Sequence, residues 1–201
     1  MKVRQLLLAP NQITLLRLIF IPFIVINIVA QDWRWALLLL VTAGLSDGLD
    51  GLLARQLNQQ SRLGEYLDPI ADKLLLSTLF LVLSIVGRIP WRYTILVFSR
   101  DLSILLTSAV LYATIGLRDF RPSIFGKINT AAQVATIFFV LLYNVHLATW
   151  VYWGRRLGLY ATFAFTLASA LHYIFLVGAR IRRHEASRQA VITQQSIATR
   201  R

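Results

Sequence analysis

Apolar residues run in six long blocks along this chain, at about 13–30, 35–57, 63–86, 91–115, 124–147 and 153–177, with short polar breaks between them. Each block reaches the roughly 20 residues that a helix needs to cross the hydrocarbon layer of a bilayer, some only by including polar residues near one end. The pattern predicts an all-α integral membrane protein with six transmembrane helices. Residues 2–10 mix Lys2, Arg4 and Gln5 with Val3, Leu6, Leu7 and Leu8, which suits a short N-terminal amphipathic helix in the membrane interface, ended by Pro10. The breaks leave no room for a second domain, so residues 1–201 read as one membrane domain with a polar, basic tail over 182–201. Pro10, Asn11 and Arg17 interrupt the apolar run that follows the basic N-terminal residues and no small-residue cleavage site follows, which argues against a removed signal peptide.

Composition strengthens this picture. With 57% apolar residues in 201 and a mean hydropathy of +0.62, the chain has too little polar surface for a soluble globule. The formal charge of +12 does not point to nucleic acid, because the cations flank apolar spans and form no basic face with interleaved aromatics. It points to orientation in the bilayer and attraction to anionic lipid. All five tryptophans, Trp33, Trp35, Trp91, Trp150 and Trp153, fall at the connections after spans one, three and five, which alternating topology puts on one side. That side also holds Arg34, Arg88, Arg92, Arg155 and Arg156. The opposite side holds Lys2, Arg4, Arg55, Arg62, Arg118, Arg121, Lys127 and the group Arg180, Arg182 and Arg183. The bias predicts both termini on the cytoplasmic side of an inner or cytoplasmic membrane.

One stretch breaks the apolar pattern with chemistry. Residues 47–72 hold four aspartates, Asp47 and Asp50 near the end of the second span and Asp68 and Asp72 near the start of the third. Spacings of three and four put each pair on one helix face, and a hairpin brings the pairs together at the cytoplasmic face. Converging carboxylates raise one another's pKa unless a cation compensates them. With no cysteine in the chain, oxygen ligands remain, and they favour magnesium, manganese or calcium, in a one-metal or two-metal site. Gly44, Gly48, Gly51 and Ala54 form a small-residue face open to close approach. Arg55 beside the cluster is placed to grip a phosphate. Structural ion pairing with Lys73, Arg55 and Arg62 is the plainer reading, but four clustered acids exceed those partners. Acids, an oxygen-loving metal and a phosphate-seeking arginine in a membrane point to phosphoryl-type transfer on a lipid. A metal carrier is the alternative from another class; against it, the acids gather at one face and the other spans carry few polar groups.

Asp47, Asp50, Gly51, Ala54, Arg55, Gly64, Asp68 and Asp72 reproduce the pattern DxxDGxxAR, eight residues, GxxxDxxxD, and the chain in this respect resembles the CDP-alcohol phosphatidyltransferases. PNQITLLRL at 10–18, LDPIADK at 67–73, SRD at 99–101 and GKINTAAQ at 126–133 also look like segments of that family. The resemblance implies a six-helix membrane enzyme, usually a homodimer, in which an acceptor hydroxyl displaces CMP from CDP-diacylglycerol. It implies two divalent ions, magnesium or manganese, on Asp47, Asp50, Asp68 and Asp72, with Asp72 also the general base. By the same resemblance Asp47, Gly51, Ala54, Arg55 and Gly64 bind the cytidine diphosphate.

The acceptor is less sharply marked. Arg100, midway along the fourth span, and Lys127, opening the fifth after a loop with Arg118 and Arg121, lack evident acidic partners; Asp101 projects about 100 degrees away from Arg100 on a helix. These four cations suit an acceptor carrying its own phosphate. Gly126, Lys127, Thr130 and Gln133 resemble the branch that uses glycerol 3-phosphate, whereas Ser99, Arg100, Asp101 and Asn129 resemble the cardiolipin synthases, which use phosphatidylglycerol. Glycerol 3-phosphate is the preferred expectation.

Overall fold

A computed structural model describes the backbone of residues 9–56, 62–115, 124–172 and 178, and side chains over 17–46, 71–107, 126–172 and 178. The described residues are helical with no strand. The helices are α1 (Ala9–Val29), α2 (Trp33–Gln56), α3 (Arg62–Ile85), α4 (Trp91–Ile115) and α5 (Ile124–Val145), followed by α6 over 149–172. Pro10 sits in the first turn of α1, where its missing N–H is harmless. The expected interfacial helix otherwise falls on residues 2–8, outside the described residues.

Three connections lie at the tryptophan end, and two of them are closed by the same device. At the end of α1, Asp32 N–H donates to Asn27 O (2.8 Å) and Gln31 N–H to Ile28 O (3.1 Å). At the end of α3, Arg88 N–H donates to Leu83 O (2.7 Å) and Gly87 N–H to Ser84 O (3.1 Å). These are Schellman caps, and each needs one residue in the left-handed region. Gly87 takes it without penalty at φ 72°, and Gln31 takes it against its own preference at φ 63°.

α3 is the central element. Leu76, Leu79, Phe80 and Leu83 recur at i, i+3, i+4 and i+7 and are buried against Ile24 and Ile28 of α1, Tyr93 and Val97 of α4, and Ile137 and Leu141 of α5. α1 packs on α2 and α3, and α5 packs on both α2 and α3. Near the turn into α4, the Ser84 and Thr94 hydroxyls share a 2.5 Å hydrogen bond, and Thr94 Oγ1 donates to Phe80 O at 3.2 Å.

α6 runs antiparallel to α5 and is joined to it by polar groups. Thr166 Oγ1 donates to Asn129 Oδ1 (2.8 Å) and the Thr136 and Thr162 hydroxyls meet at 2.8 Å, all four residues fully buried. Gly158 makes the approach possible, since a Cβ there would lie 3.2 Å from the Thr136 Cα. The expectation that the other spans carry few polar groups is thus corrected: α5 and α6 bury Asn129, Gln133, Thr136, Thr162, Thr166 and Ser169 between helices. In an apolar medium such groups must be satisfied internally, and facing hydroxyls and amides do this.

The outer faces are apolar. Ile19 and Phe23 of α1, Leu38 and Leu45 of α2, Leu74 of α3, Ile95 and Leu105 of α4, Val134 of α5, and Leu157 and Leu171 of α6 are all exposed. Among the described residues one helix, Gly126–Val145, is long and apolar enough by itself to cross a membrane, with shorter apolar stretches at Arg17–Val29 and Trp33–Ser46.

Candidate active site

The aspartate motif lies on two successive helices, as its spacing predicts. Asp47, Asp50, Gly51, Ala54 and Arg55 occupy the second half of α2, and Gly64, Asp68 and Asp72 the first half of α3. Of these side chains, Asp72 is among those described; the surroundings of the others, and Arg118 and Arg121 altogether, lie outside the described residues.

Asp72 faces a cavity of about 740 Å³ walled by α1, α2, α3 and α5. Asp72, Leu75 and Leu76 line it from one face of α3, and Lys127, Thr130, Ala131 and Val134 from one face of α5. Leu40, Val41, Gly44 and Leu45 contribute from α2, and a Cβ at Gly44 would meet nothing within 4 Å, so the wall there is open. Arg17 of α1 completes the lining and forms an ion pair with Asp72 Oδ1. The guanidinium is buried, with 5% of its side chain exposed, whereas Asp72 remains 47% exposed. A carboxylate held from behind by a buried cation and open in front is oriented for a ligand.

Arg17, within PNQITLLRL, is a cavity residue that the spacing of the aspartates does not reveal. The signal was present: a lone arginine inside an apolar helix must find its acid on another helix.

The GKxxT pattern divides between two faces of α5. Lys127 and Thr130 line the cavity, while Asn129 and Gln133 turn to α6 and are buried. Lys127 is exposed on the cavity side.

Arg100 requires a correction. It does have an acidic partner, its own neighbour: Arg100 Nη1 lies 2.6 Å from Asp101 Oδ1, and Nη2 donates to Ser169 Oγ of α6 at 2.7 Å. The side chains of adjacent helical residues leave the backbone about 100 degrees apart, but the long arginine stem bends back across that angle. Lys73 Nζ joins the same carboxylate at 3.1 Å. Among the described residues Lys73 therefore pairs with α4. The trio ties α3, α4 and α6 together and does not line the Asp72 cavity.

Metal chemistry can be tested only against Asp72. Carboxylates are the right donors for magnesium or manganese. A half-exposed carboxylate opening on a cavity lined by both motif-bearing helices fits such an ion. Among the described residues alone, no group of three ligating side chains occurs.

Known proteins share this arrangement of sequence. The chain is 30% identical over 179 residues to the CDP-diacylglycerol–glycerol-3-phosphate 3-phosphatidyltransferase of Bacillus subtilis, covering 82% of this chain and 92% of that protein. It is 35% identical over 127 residues to a Mycobacterium tuberculosis protein named as a candidate cardiolipin synthase, and 33% identical over 146 residues to human cardiolipin synthase (CMP-forming). These two matches cover 63% and 64% of this chain, and the chain spans about 60% and 48% of those relatives' lengths. The model of the CDP-alcohol phosphatidyltransferase family matches residues 7–180, from the start of α1 to beyond α6. A match of that length, with the full aspartate motif on adjoining helices, means that the chain belongs to the CDP-alcohol phosphatidyltransferase family.

Proposed function

We propose that this chain transfers the phosphatidyl group of CDP-diacylglycerol to glycerol 3-phosphate, releasing CMP. The observation that carries the reading is the cavity in which Asp72 stands with the cations Arg17 and Lys127. A carboxylate to take a proton and a free lysine to hold an anion are what a phosphorylated alcohol acceptor requires. The likeness to the Bacillus subtilis transferase supports the choice of acceptor, since that protein is matched over nearly its whole length.

In this reading Asp47, Asp50, Asp68 and Asp72 hold two magnesium or manganese ions, and the ions supply charge neutralisation of the pyrophosphate. Asp47, Gly51, Ala54, Arg55 and Gly64 bind the cytidine diphosphate, where glycines admit a bulky ligand next to the backbone. Arg17 holds Asp72 Oδ1 and so fixes the carboxylate. Asp72 accepts the acceptor hydroxyl's proton as that oxygen bonds to the lipid-linked phosphorus and the bond to CMP breaks. Lys127, with Arg118 and Arg121 of the preceding loop, holds the acceptor's phosphate. Arg100, closed on Asp101 and Ser169, acts on the acceptor only through the shape of the bundle.

The chain spans the membrane six times, with both termini and the motif on the cytoplasmic side, and works as a homodimer. The apolar outer faces and the gathering of all five tryptophans at one end support this topology. A cardiolipin synthase reading, with phosphatidylglycerol as acceptor, is favoured by the mycobacterial and human relatives. Incubating the purified protein with CDP-diacylglycerol and each acceptor in turn, then weighing the lipid product, decides between them: phosphatidylglycerophosphate is expected, and cardiolipin would overturn the choice. Metal flux without CDP-diacylglycerol binding would instead support a carrier.

A further inference from the structure

At the tryptophan end, remote from Asp72, two arginines meet without an acid. Arg88, in the turn from α3 to α4, lays its guanidinium over the Trp33 ring of α2 at 4.9 Å. Arg155, in the second turn of α6, donates through Nη2 to Arg88 O at 3.3 Å and stacks on Tyr143 of α5 at 5.1 Å. Neither has an ion-pair partner among the described residues. Asp32, the one acid in the three connections at this end, makes none with them. Arg88 Nε is fully buried and has no hydrogen-bond partner, although buried guanidinium donors are strongly disposed to find one. The aromatic rings hold both guanidinium groups in place in advance, and apart from Arg155 Nη2 their donors make no hydrogen bond among the described residues. The α3–α4 turn and the start of α6 thus present two partly desolvated cations at the level of the aromatic belt, where lipid headgroups lie.

We infer that Arg88 and Arg155 form a binding site for the phosphate of an anionic phospholipid, in the leaflet opposite the active site. Two positive charges exceed the single charge of one phosphodiester, so an additional negative headgroup is favoured over a zwitterionic one. The inference rests on the six-span topology proposed above but not on the choice of acceptor.

The test uses the full chain in detergent micelles supplemented with phosphatidylserine, phosphatidylcholine or inorganic phosphate. Phosphatidylserine is neither donor, acceptor nor product of the proposed reaction, so its effect reports on this site. Phosphatidylserine is expected to raise the melting temperature of the unaltered chain by about 2–4 °C over phosphatidylcholine, a modest ligand shift for a chain of this size. Arg88→Gln and Arg155→Gln should each lose at least half of that increment, and Arg88→Lys should keep part of it through its charge. Reading the lipid-induced increment within each variant removes any general loss of stability, while CMP release in all three stays within about twofold of the unaltered chain. Equal shifts with the two lipids, or an undiminished phosphatidylserine shift in both glutamine variants, would overturn the site. An equal shift with inorganic phosphate would overturn the lipid as its occupant. Absence of CMP release from the unaltered chain, with the phosphatidylserine increment intact, would instead count against the transferase reading.

Discussion

At the tryptophan end of the bundle, Arg88 and Arg155 apart, most polar groups among the described residues close on the protein itself: turn amides cap α1 and α3, and Ser84 bonds Thr94. At the other end Asp72 and Lys127 face an open cavity, and Arg17 turns back to hold a carboxylate. A helix bundle in lipid has to satisfy its polar groups internally. The polar residues left facing space are therefore those reserved for a ligand. Between the two ends, the Lys73–Asp101–Arg100 trio is closed like the turns although it stands only one residue along α3 from Asp72.

The most severe break in this contrast is Asp72→Asn. It should reduce the rate of CMP release by about 100-fold or more, because a general base is worth that much, while most CDP-diacylglycerol binding survives. Full activity in that variant would remove Asp72 from proton transfer. Asp101→Asn should do the reverse. Arg100 has 9% of its side chain exposed and would be left without its carboxylate, so stability should fall by about 3 kcal/mol, read from the melting temperature. An unchanged melting temperature would show that the trio is not a strut. Lys127→Ala sharpens the comparison at the cavity: the KM for glycerol 3-phosphate should rise about tenfold, and that for CDP-diacylglycerol much less. Equal rises in both would argue against an acceptor phosphate on Lys127. The smallest effects belong to the turns. Gly87→Ala should cost about 1 kcal/mol, all of it conformational because a Cβ there meets nothing, and Gln31→Gly should gain a similar or smaller amount. Neither should change activity per folded molecule, and a change in KM would mean that the two ends communicate.

Much of the fold was legible because apolar blocks long enough to cross a bilayer have few other uses. The block at 91–115 coincides with α4, and that at 63–86 is displaced by one residue from α3 (Arg62–Ile85). The larger misses are at starts: α1 begins at Ala9 and α6 at 149, where hydrogen bonding continues into residues too polar for the hydropathy pattern to include. Gln31 gave no warning of its left-handed conformation, since an ordinary polar side chain there looks like any turn residue. In the site, helix spacing was sufficient to put the aspartates on α2 and α3. It could not find Arg17, because a tie between α1 and α3 is a fact of packing between segments more than fifty residues apart. Arg100 failed for the opposite reason: its direction from the helix was judged from the backbone, while the reach of its side chain decided the partner.

The cavity wall has one more consequence. Leu45 and Val134 belong both to the lining around Asp72 and to the exposed apolar surface, so among the described residues part of the chamber's rim is apolar. For a chain embedded in lipid, a diacyl substrate can slide in sideways with its tails still solvated by neighbouring chains, and no step requires lifting it into water. For the proposed transfer, the concentration that governs saturation is then a surface quantity, the mole fraction of CDP-diacylglycerol in the film. Diluting the substrate with inert lipid at constant bulk amount should slow the enzyme, whereas diluting the whole suspension with buffer should not.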